Sequence, residues 1–341
     1  MRLGLSTGYW GAGPPAGVPE LAAEAEKLGY ESLWTAEAYG SDALTPLAWW
    51  GSQTTTMKLG TSIVQMSART PAATAMAAMT LDHLSGGRFV LGLGASGPQV
   101  VEGWYGRPYP RPLERTREYV EIIRRIVARE DRLEFAGKQY QLPLAGGTGL
   151  GKPLKSTIHP FRVDLPIYLG AEGPKNIALA AEICDGWLPW LYSPNHDDFY
   201  RTALQEGFDR DTARSSWDDF EVACMGLVIP GDDVEACADF IRPLISLYVG
   251  GMGAKEANFH NRVFVRMGYE AECDRIQALY LEGDKAAATA AVSRAMCEEI
   301  ALLGSWDKIR DELQLWEDSV ITTLLVNGDL DLLRRMAELC L

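Results

Sequence analysis

The 341-residue chain is 47% hydrophobic and 23% charged, a balance that supports a full core and excludes a disordered polymer. Its 46 acidic against 32 basic residues give a formal net charge of -14, the opposite of the basic stripe a nucleic-acid binder needs. No apolar run approaches the ~20 residues of a membrane span, and six scattered cysteines without a C-x-x-C pair argue for a reducing, cytoplasmic setting with neither a disulfide framework nor a zinc site.

Strand and helix signals alternate from the first residues. Arg2 to Thr7 is a short apolar strand rather than a secretory leader. Val18 to Leu28 places Leu21, Ala22, Ala25 and Leu28 on one helical face, and Gly29 stops it. Glu31 to Ala36 is the second strand, a helix runs from about Thr45 to Thr55, and Lys58 to Gln65 is the third strand. Pro71, whose fixed φ suits a first turn, opens a helix over Ala72 to Leu84. Arg88 to Gly94 is strand four, and Leu113 to Arg129 a long amphipathic helix.

The alternation then breaks between about Asp131 and Asp164, where Phe135 to Leu142 reads as a small hairpin and Ala145 to Gly151 as a glycine-rich loop. An excursion of this length is more often a functional lid than scaffold, and with the helical region near Gly250 to His260 it is expected to shape the substrate pocket. Leu165 to Gly170 is strand five, Pro174 to Cys184 a helix, Asp185 to Pro189 strand six and Glu221 to Ile229 strand seven. Asp232 to Trp316 reads as helical, interrupted at Gly250 to Gly253 and around Gly283. Val320 to Asn327 is strand eight, with a last helix from Leu330. Eight strands with helices between them predict an α/β chain folded as a (β/α)8 TIM barrel. It is one domain over residues 1–341, with insertions at about 131–164 and 250–304. A doubly wound open sheet is the competing arrangement.

A barrel of this kind builds its site at the C-terminal ends of the strands. Those ends carry Thr7 to Trp10, Glu37 to Asp42, Ser62 to Gln65, Gly94 to Pro98 and Gly170 to Asn176, a set that is aromatic, small and amide-bearing with few ionisable groups. The four histidines lack metal-ligand spacing, and no G-x-S-x-G elbow or P-loop is present, so metal, serine-hydrolase and kinase chemistry are disfavoured. Flat apolar walls with few acid–base groups suit a cofactor that brings its own reactivity. Gly170 to Asn176 leads straight into a helix with Pro174 at its first position, so its free N–H groups favour an anion such as a cofactor phosphate. An ordinary tight turn would read the same from these residues. Ser96 and Gly97 offer a second set of N–H donors, or a plain turn.

Several stretches together resemble the bacterial luciferase-like (β/α)8 superfamily, and within it the deazaflavin-dependent oxidoreductases that include methylenetetrahydromethanopterin reductase. They are Leu33 to Asp42, Leu59 to Ile63, Ala68 to Ala72, Leu81 to Phe89 with Leu91 to Gly94, and Gly170 to Asn176 followed by Glu182 to Trp187. The resemblance implies coenzyme F420 as the cofactor, with FMN as the alternative. It also implies a non-prolyl cis peptide at Ser62–Ile63 against the central ring, and Gln65 at the ring edge. Glu37 aligns with a carboxylate near ring or substrate. Because Ala38 stands where relatives often carry histidine or another polar group, Glu37 becomes the leading acid–base candidate; a buried carboxylate that only orders its loop is the other reading.

The cofactor set expected from these readings is Ser62, Ile63, Gln65, Ser96, Gly97, Gly170, Glu172, Gly173 and Asn176, with Tyr9, Trp10 and Trp104 on the substrate side and no metal. Asp82 and His83 end a helix on the opposite rim, where stability roles prevail. The implied activity is hydride transfer between C5 of the deazaflavin and a small organic substrate. An FMN-dependent luciferase-like monooxygenase is the alternative, and a non-catalytic binding protein on a degenerate barrel a third. Relatives pair through helices beside the early strands, so a homodimer is expected, with neither nucleic acid nor membrane as partner.

Overall fold

The computed structural model describes residues 1–253 and 258–341. Its strands are β1 (Arg2–Ser6), β2 (Ser32–Thr35), β3 (Lys58–Thr61), β4 (Val64–Gln65), β5 (Phe89–Gly94), β6 (Phe135–Ala136), β7 (Gln141–Leu142), β8 (Ile167–Gly170), β9 (Gly186–Leu188), β10 (Glu221–Pro230), β11 (Ala301–Gly304) and β12 (Thr323–Val326). Parallel pairing runs β10–β12–β1–β2–β3–β5–β8–β9 and returns from β9 to β10, while β4 continues the line of β3 beside β5. The ring is therefore a closed eight-stranded barrel with helices between its staves.

Several helices begin where the sequence supplies a start signal. Thr70 accepts the Ala73 N–H at 3.2 Å and Pro71 fills the first turn of helix Pro71–Leu84. Pro174 does the same for helix Pro174–Ile183. In helix Pro112–Ala128 the buried stripe includes Tyr119, Ile122, Ile123 and Val127, which seat it against the barrel.

Strand alternation sorts the apolar residues into an inner and an outer layer. Trp34, Val90, Tyr168, Leu188, Ala223 and Leu325 fill the barrel, with Ile63 and Met225 packed against them. Leu3, Leu33, Leu91, Leu169, Trp187 and Leu324 face the surrounding helices. A separate cluster, including Ile241, Tyr248, Phe264, Ile276 and Cys297, belongs to the helices between β10 and β11.

Three local expectations are corrected. The third strand is not continuous over residues 58–65: it breaks at Ser62 and Ile63, whose peptide bond is cis, and resumes as β4. The helix expected over 45–55 ends at Gly51. The region 232–316 is not wholly helical, because Ala301–Gly304 forms β11 beside the outer half of β10, from Leu227 to Pro230. A four-residue apolar run has no period by which to separate a buried strand from a helix segment. The hairpin is present as β6 and β7, and the rest of the first excursion, up to β8, is coil. After β10 the helix Val234–Ser246 continues as a π-helical turn over Leu247–Gly251. Residues 254–257, in the region near Gly250 to His260 expected to shape the pocket, lie outside the described residues. Among the described residues no helix is long and apolar enough to cross a membrane.

Candidate active site at the barrel mouth

The C-terminal strand ends meet over the inner core. Ile63 lies across the ends of two neighbouring staves, and both staves end there in glycine. A Cβ on Gly94 would sit 2.5 Å from Ile63 Cδ1, and one on Gly170 3.1 Å from Ile63 Cγ2. The absent side chains thus let Ile63 lie flat as the floor of the mouth.

One wall is organised by Glu37, which is only 5% exposed. Arg69 Nη1 donates to its two carboxylate oxygens at 2.9 and 2.8 Å, and the Gln65 N–H donates to Oε2 at 3.2 Å. The Glu37 N–H in turn reaches the Ile63 carbonyl at 3.1 Å. Burial pushes the Glu37 carboxyl above its ordinary value, and Arg69 and the Gln65 amide pull it back. The expected acid–base candidate is present at the mouth, with its carboxylate engaged by a guanidinium.

The opposite wall follows β8. Gly173 caps helix Pro174–Ile183 with open space above its Cα, and Asn176 stands in the first turn. Ser96, in the left-handed region at φ 58, and Gly97 close the neighbouring turn, and Phe259 approaches Gly97 from the inserted helices. Glu172 lies between these turns and the end of β9. Its Oε1 accepts the Trp190 N–H at 3.0 Å, and burial lifts its carboxyl to about 7 against the pull of Trp190, Arg266 and Leu191.

An aromatic cover spans the opening. The Tyr248 ring contacts Trp190 at 5.6 Å and His260 at 4.7 Å between centroids, and its hydroxyl lies near that of Tyr9, which follows the end of β1. Tyr9 keeps about half its surface open (54%) while its hydroxyl end is enclosed. Burial pushes His260 down to about 3, so the ring is neutral at physiological pH.

Of the substrate-side residues expected from sequence, Tyr9 joins this group. Trp10 instead stacks on Trp50 at 5.8 Å, and Trp104 is largely exposed, while its neighbour Tyr105 reaches the Ala38 carbonyl at 3.4 Å. Sequence reasoning missed Trp190 and Tyr248, and it reached His260 only as the end of the region near Gly250 to His260 expected to shape the pocket. Trp190 follows a recognised strand end and was open to the same logic as the others; Tyr248 and His260 sit on inserted helices, where strand-end logic gives no signal.

The polar chemistry of the mouth is unfinished. Gln65 Oε1, Asn176 Oδ1, Trp190 Nε1 and His260 Nδ1 are buried and find no hydrogen-bond partner among the described residues, an arrangement that is costly unless a ligand supplies the missing groups. These atoms surround an apolar floor and an N-terminal helix turn suited to an anion, so the residues present fit a flat cofactor with a phosphate-bearing tail.

Comparison with known proteins agrees with this geometry. The family model described as luciferase-like monooxygenase matches residues 3–323. A Mycobacterium tuberculosis chain that carries the name "putative coenzyme F420-dependent oxidoreductase" is 52% identical over 342 residues, covering 99% of both chains. The 5,10-methylenetetrahydromethanopterin reductase of Archaeoglobus fulgidus is 26% identical, covering 89% of this chain and 87% of its own. The solved coenzyme F420-dependent tetrahydromethanopterin reductase of Methanopyrus kandleri superposes with a TM-score of 0.80 at 22% identity, over 99% of this chain and 97% of that one. With its closed barrel, its Ser62–Ile63 floor and these matches together, the chain belongs to the luciferase-like monooxygenase family.

Proposed function

We propose that this chain is a coenzyme F420-dependent oxidoreductase that transfers a hydride between C5 of the deazaflavin and a small organic substrate. The observation that carries the reading is the set of unpartnered buried atoms on Gln65, Asn176, Trp190 and His260 around an apolar floor. The 52% identity to a chain named for the same cofactor supports it. When bound, the cofactor supplies the hydride and its electron pair.

The chain's own residues bind and orient. Ser62 and Ile63 back the ring, and the Gln65 side chain meets its edge. The turn from Gly170 to Asn176, with Gly173 at the helix N-terminus, holds the phosphate through main-chain N–H groups, and Ser96 and Gly97 add donors. Tyr9, Trp190, Tyr248 and His260 enclose the substrate side and exclude water, which strengthens every polar contact inside. Holding the reacting carbons about 3.5 Å apart supplies much of the rate gain. Glu37 is expected from sequence as the acid–base group; its commitment to Arg69 suits it instead to aligning Gln65.

Titration with F420 and, separately, with FMN tests the reading. Saturable quenching of F420 fluorescence with FMN excluded is the expected result. Preferential FMN binding with oxygen consumption would install the monooxygenase alternative. We further propose a homodimeric, cytoplasmic enzyme; exposed Trp49 and Met76 on the helices beside β2 and β3 support the pairing, and six free thiols suit the compartment.

A further inference from the structure

We propose that Glu172, not Glu37, gives and takes the substrate proton, so that the substrate's reacting carbon carries an oxygen or nitrogen: a carbonyl–alcohol or imine–amine pair. This rests on the hydride-transfer reading above.

Burial lifts both mouth carboxyls, but their partners differ. Glu37 is committed to an ion pair, with the Arg69 guanidinium on its two oxygens at 2.9 and 2.8 Å. Glu172 is held by main-chain amides, Trp190 at 3.0 Å and Leu191, under the Trp190–Tyr248–His260 cover. Among the described residues the titratable groups that face it are Arg266 and Tyr200, Tyr248 and Cys224 from three other elements. The last three are neutral at physiological pH. Arg266 spends Nη2 on the Glu172 main-chain carbonyl at 2.8 Å and lays its guanidinium over the Phe199 ring at 4.9 Å. A carboxyl so placed keeps its proton near neutrality, at about 7, the poise a general acid needs.

In the reducing direction the substrate carbon accepts the hydride with its electron pair. The carbonyl or imine π pair moves onto oxygen or nitrogen, which takes the proton from Glu172, and solvent reprotonates the carboxylate. Oxidation runs the same exchange backwards. A carbon–carbon double bond as sole acceptor would need its proton delivered to carbon and is not served by this arrangement.

The test uses the full-length protein and the isosteric variant Glu172→Gln, which keeps an acceptor for the Trp190 N–H. Without cofactor, thermal stability is followed from about pH 5 to 8. A folded-state value near 7 against an ordinary 4.5 means the Glu172 contribution is full below about 4.5 and lost as pH rises through about 7. The Tm difference, variant minus wild type, therefore grows toward pH 8; a flat difference overturns the proposal. With F420 bound, wild type and variant are compared on aldehydes, ketones, cyclic imines and conjugated alkenes. The expected result is turnover of the first three classes, a loss of about 10²-fold or more in the variant, and a pH profile that flattens. Turnover confined to alkenes, or an unchanged profile, overturns it. Failure of the wild type to bind F420 would instead overturn the underlying cofactor reading, while the cofactor-free comparison still reports on Glu172.

Discussion

At the residue scale the molecule turns on a contrast between an ion pair that is closed and polar atoms that are open. Arg69 and Glu37 are largely buried together (22% and 5% exposed), so removing Arg69 leaves Glu37 uncompensated, at a cost of about 3–5 kcal/mol. Arg69→Met is expected to destabilise by about 3 kcal/mol, toward the low end because the guanidinium is partly solvated. Glu37→Gln combined with Arg69→Met should be less destabilised than Arg69→Met alone, since the neutral amide removes the stranded charge. Urea unfolding of the four proteins in the cycle measures this; strict additivity would mean that the pair is not coupled. In cofactor titrations Glu37→Gln should weaken F420 binding through Gln65, whose N–H it holds at 3.2 Å, and leave the pH dependence of turnover in place.

At the scale of elements, Glu182 ties three segments together beneath the site. It accepts from Arg117 of helix Pro112–Ala128 at 2.7 and 2.5 Å, from Arg210 at 2.5 Å and from Thr212 at 2.5 Å. Burial alone would raise its carboxyl, but Arg117, Thr212 and Arg210 outweigh it and hold the value at about 2. The contribution is therefore present above about 4.5 and lost as pH falls through about 2. Because both arginines are about 40% exposed, Glu182→Ala should cost about 2–3 kcal/mol at pH 7, less than a fully buried pair. The gap from wild type should narrow below pH 3, and urea midpoints at both pH values measure it.

Elements of this kind were legible in the sequence wherever a local signal was strong. Pro71 and Pro174 marked helix starts, and the apolar run Phe89 to Gly94 marked a buried strand. The break between β3 and β4 left no trace in periodicity, since the residues on both sides suit a strand, and it was reached only through the resemblance carried by Ser62 and Ile63. Ala301 to Gly304 hid among helices because four apolar residues have no measurable period. The mouth was legible in the same uneven way. Residues directly after a strand could be named in advance, whereas Tyr248 and His260 reach it from helices whose docking depends on the long-range packing of Ile241, Phe264 and Ile276.

For the whole molecule, the distribution of exposed apolar side chains is uneven. Trp49 on helix Leu44–Gly51 and Met76 and Leu84 on helix Pro71–Leu84 are 75%, 62% and 77% exposed, although both helices bury other faces against β2, β3 and β5. The coil after β7 adds Leu154, Phe161 and Val163, and it is fastened to the same helix. His83 Nε2 and the His159 carbonyl are 2.7 Å apart, Phe161 meets the His83 ring edge-on at 5.7 Å, and Arg162 pairs with Asp82 at 2.9 Å. Apolar groups so placed at consecutive positions around one side of the barrel are expected to be covered by a second copy through an isologous contact, the commonest way a chain pairs with itself. The net charge of -14 repels a second copy only within the ~8 Å screening length at physiological salt, so no long-range repulsion keeps the apolar faces from meeting. Sedimentation equilibrium should therefore give twice the chain mass of 37.4 kDa, with the dimer persisting at high salt. Replacing Trp49 and Met76 together by glutamate should yield a folded monomer that still binds cofactor, because neither residue touches the mouth. A wild-type monomer at micromolar concentration would refute the pairing while leaving the reading of the site untouched.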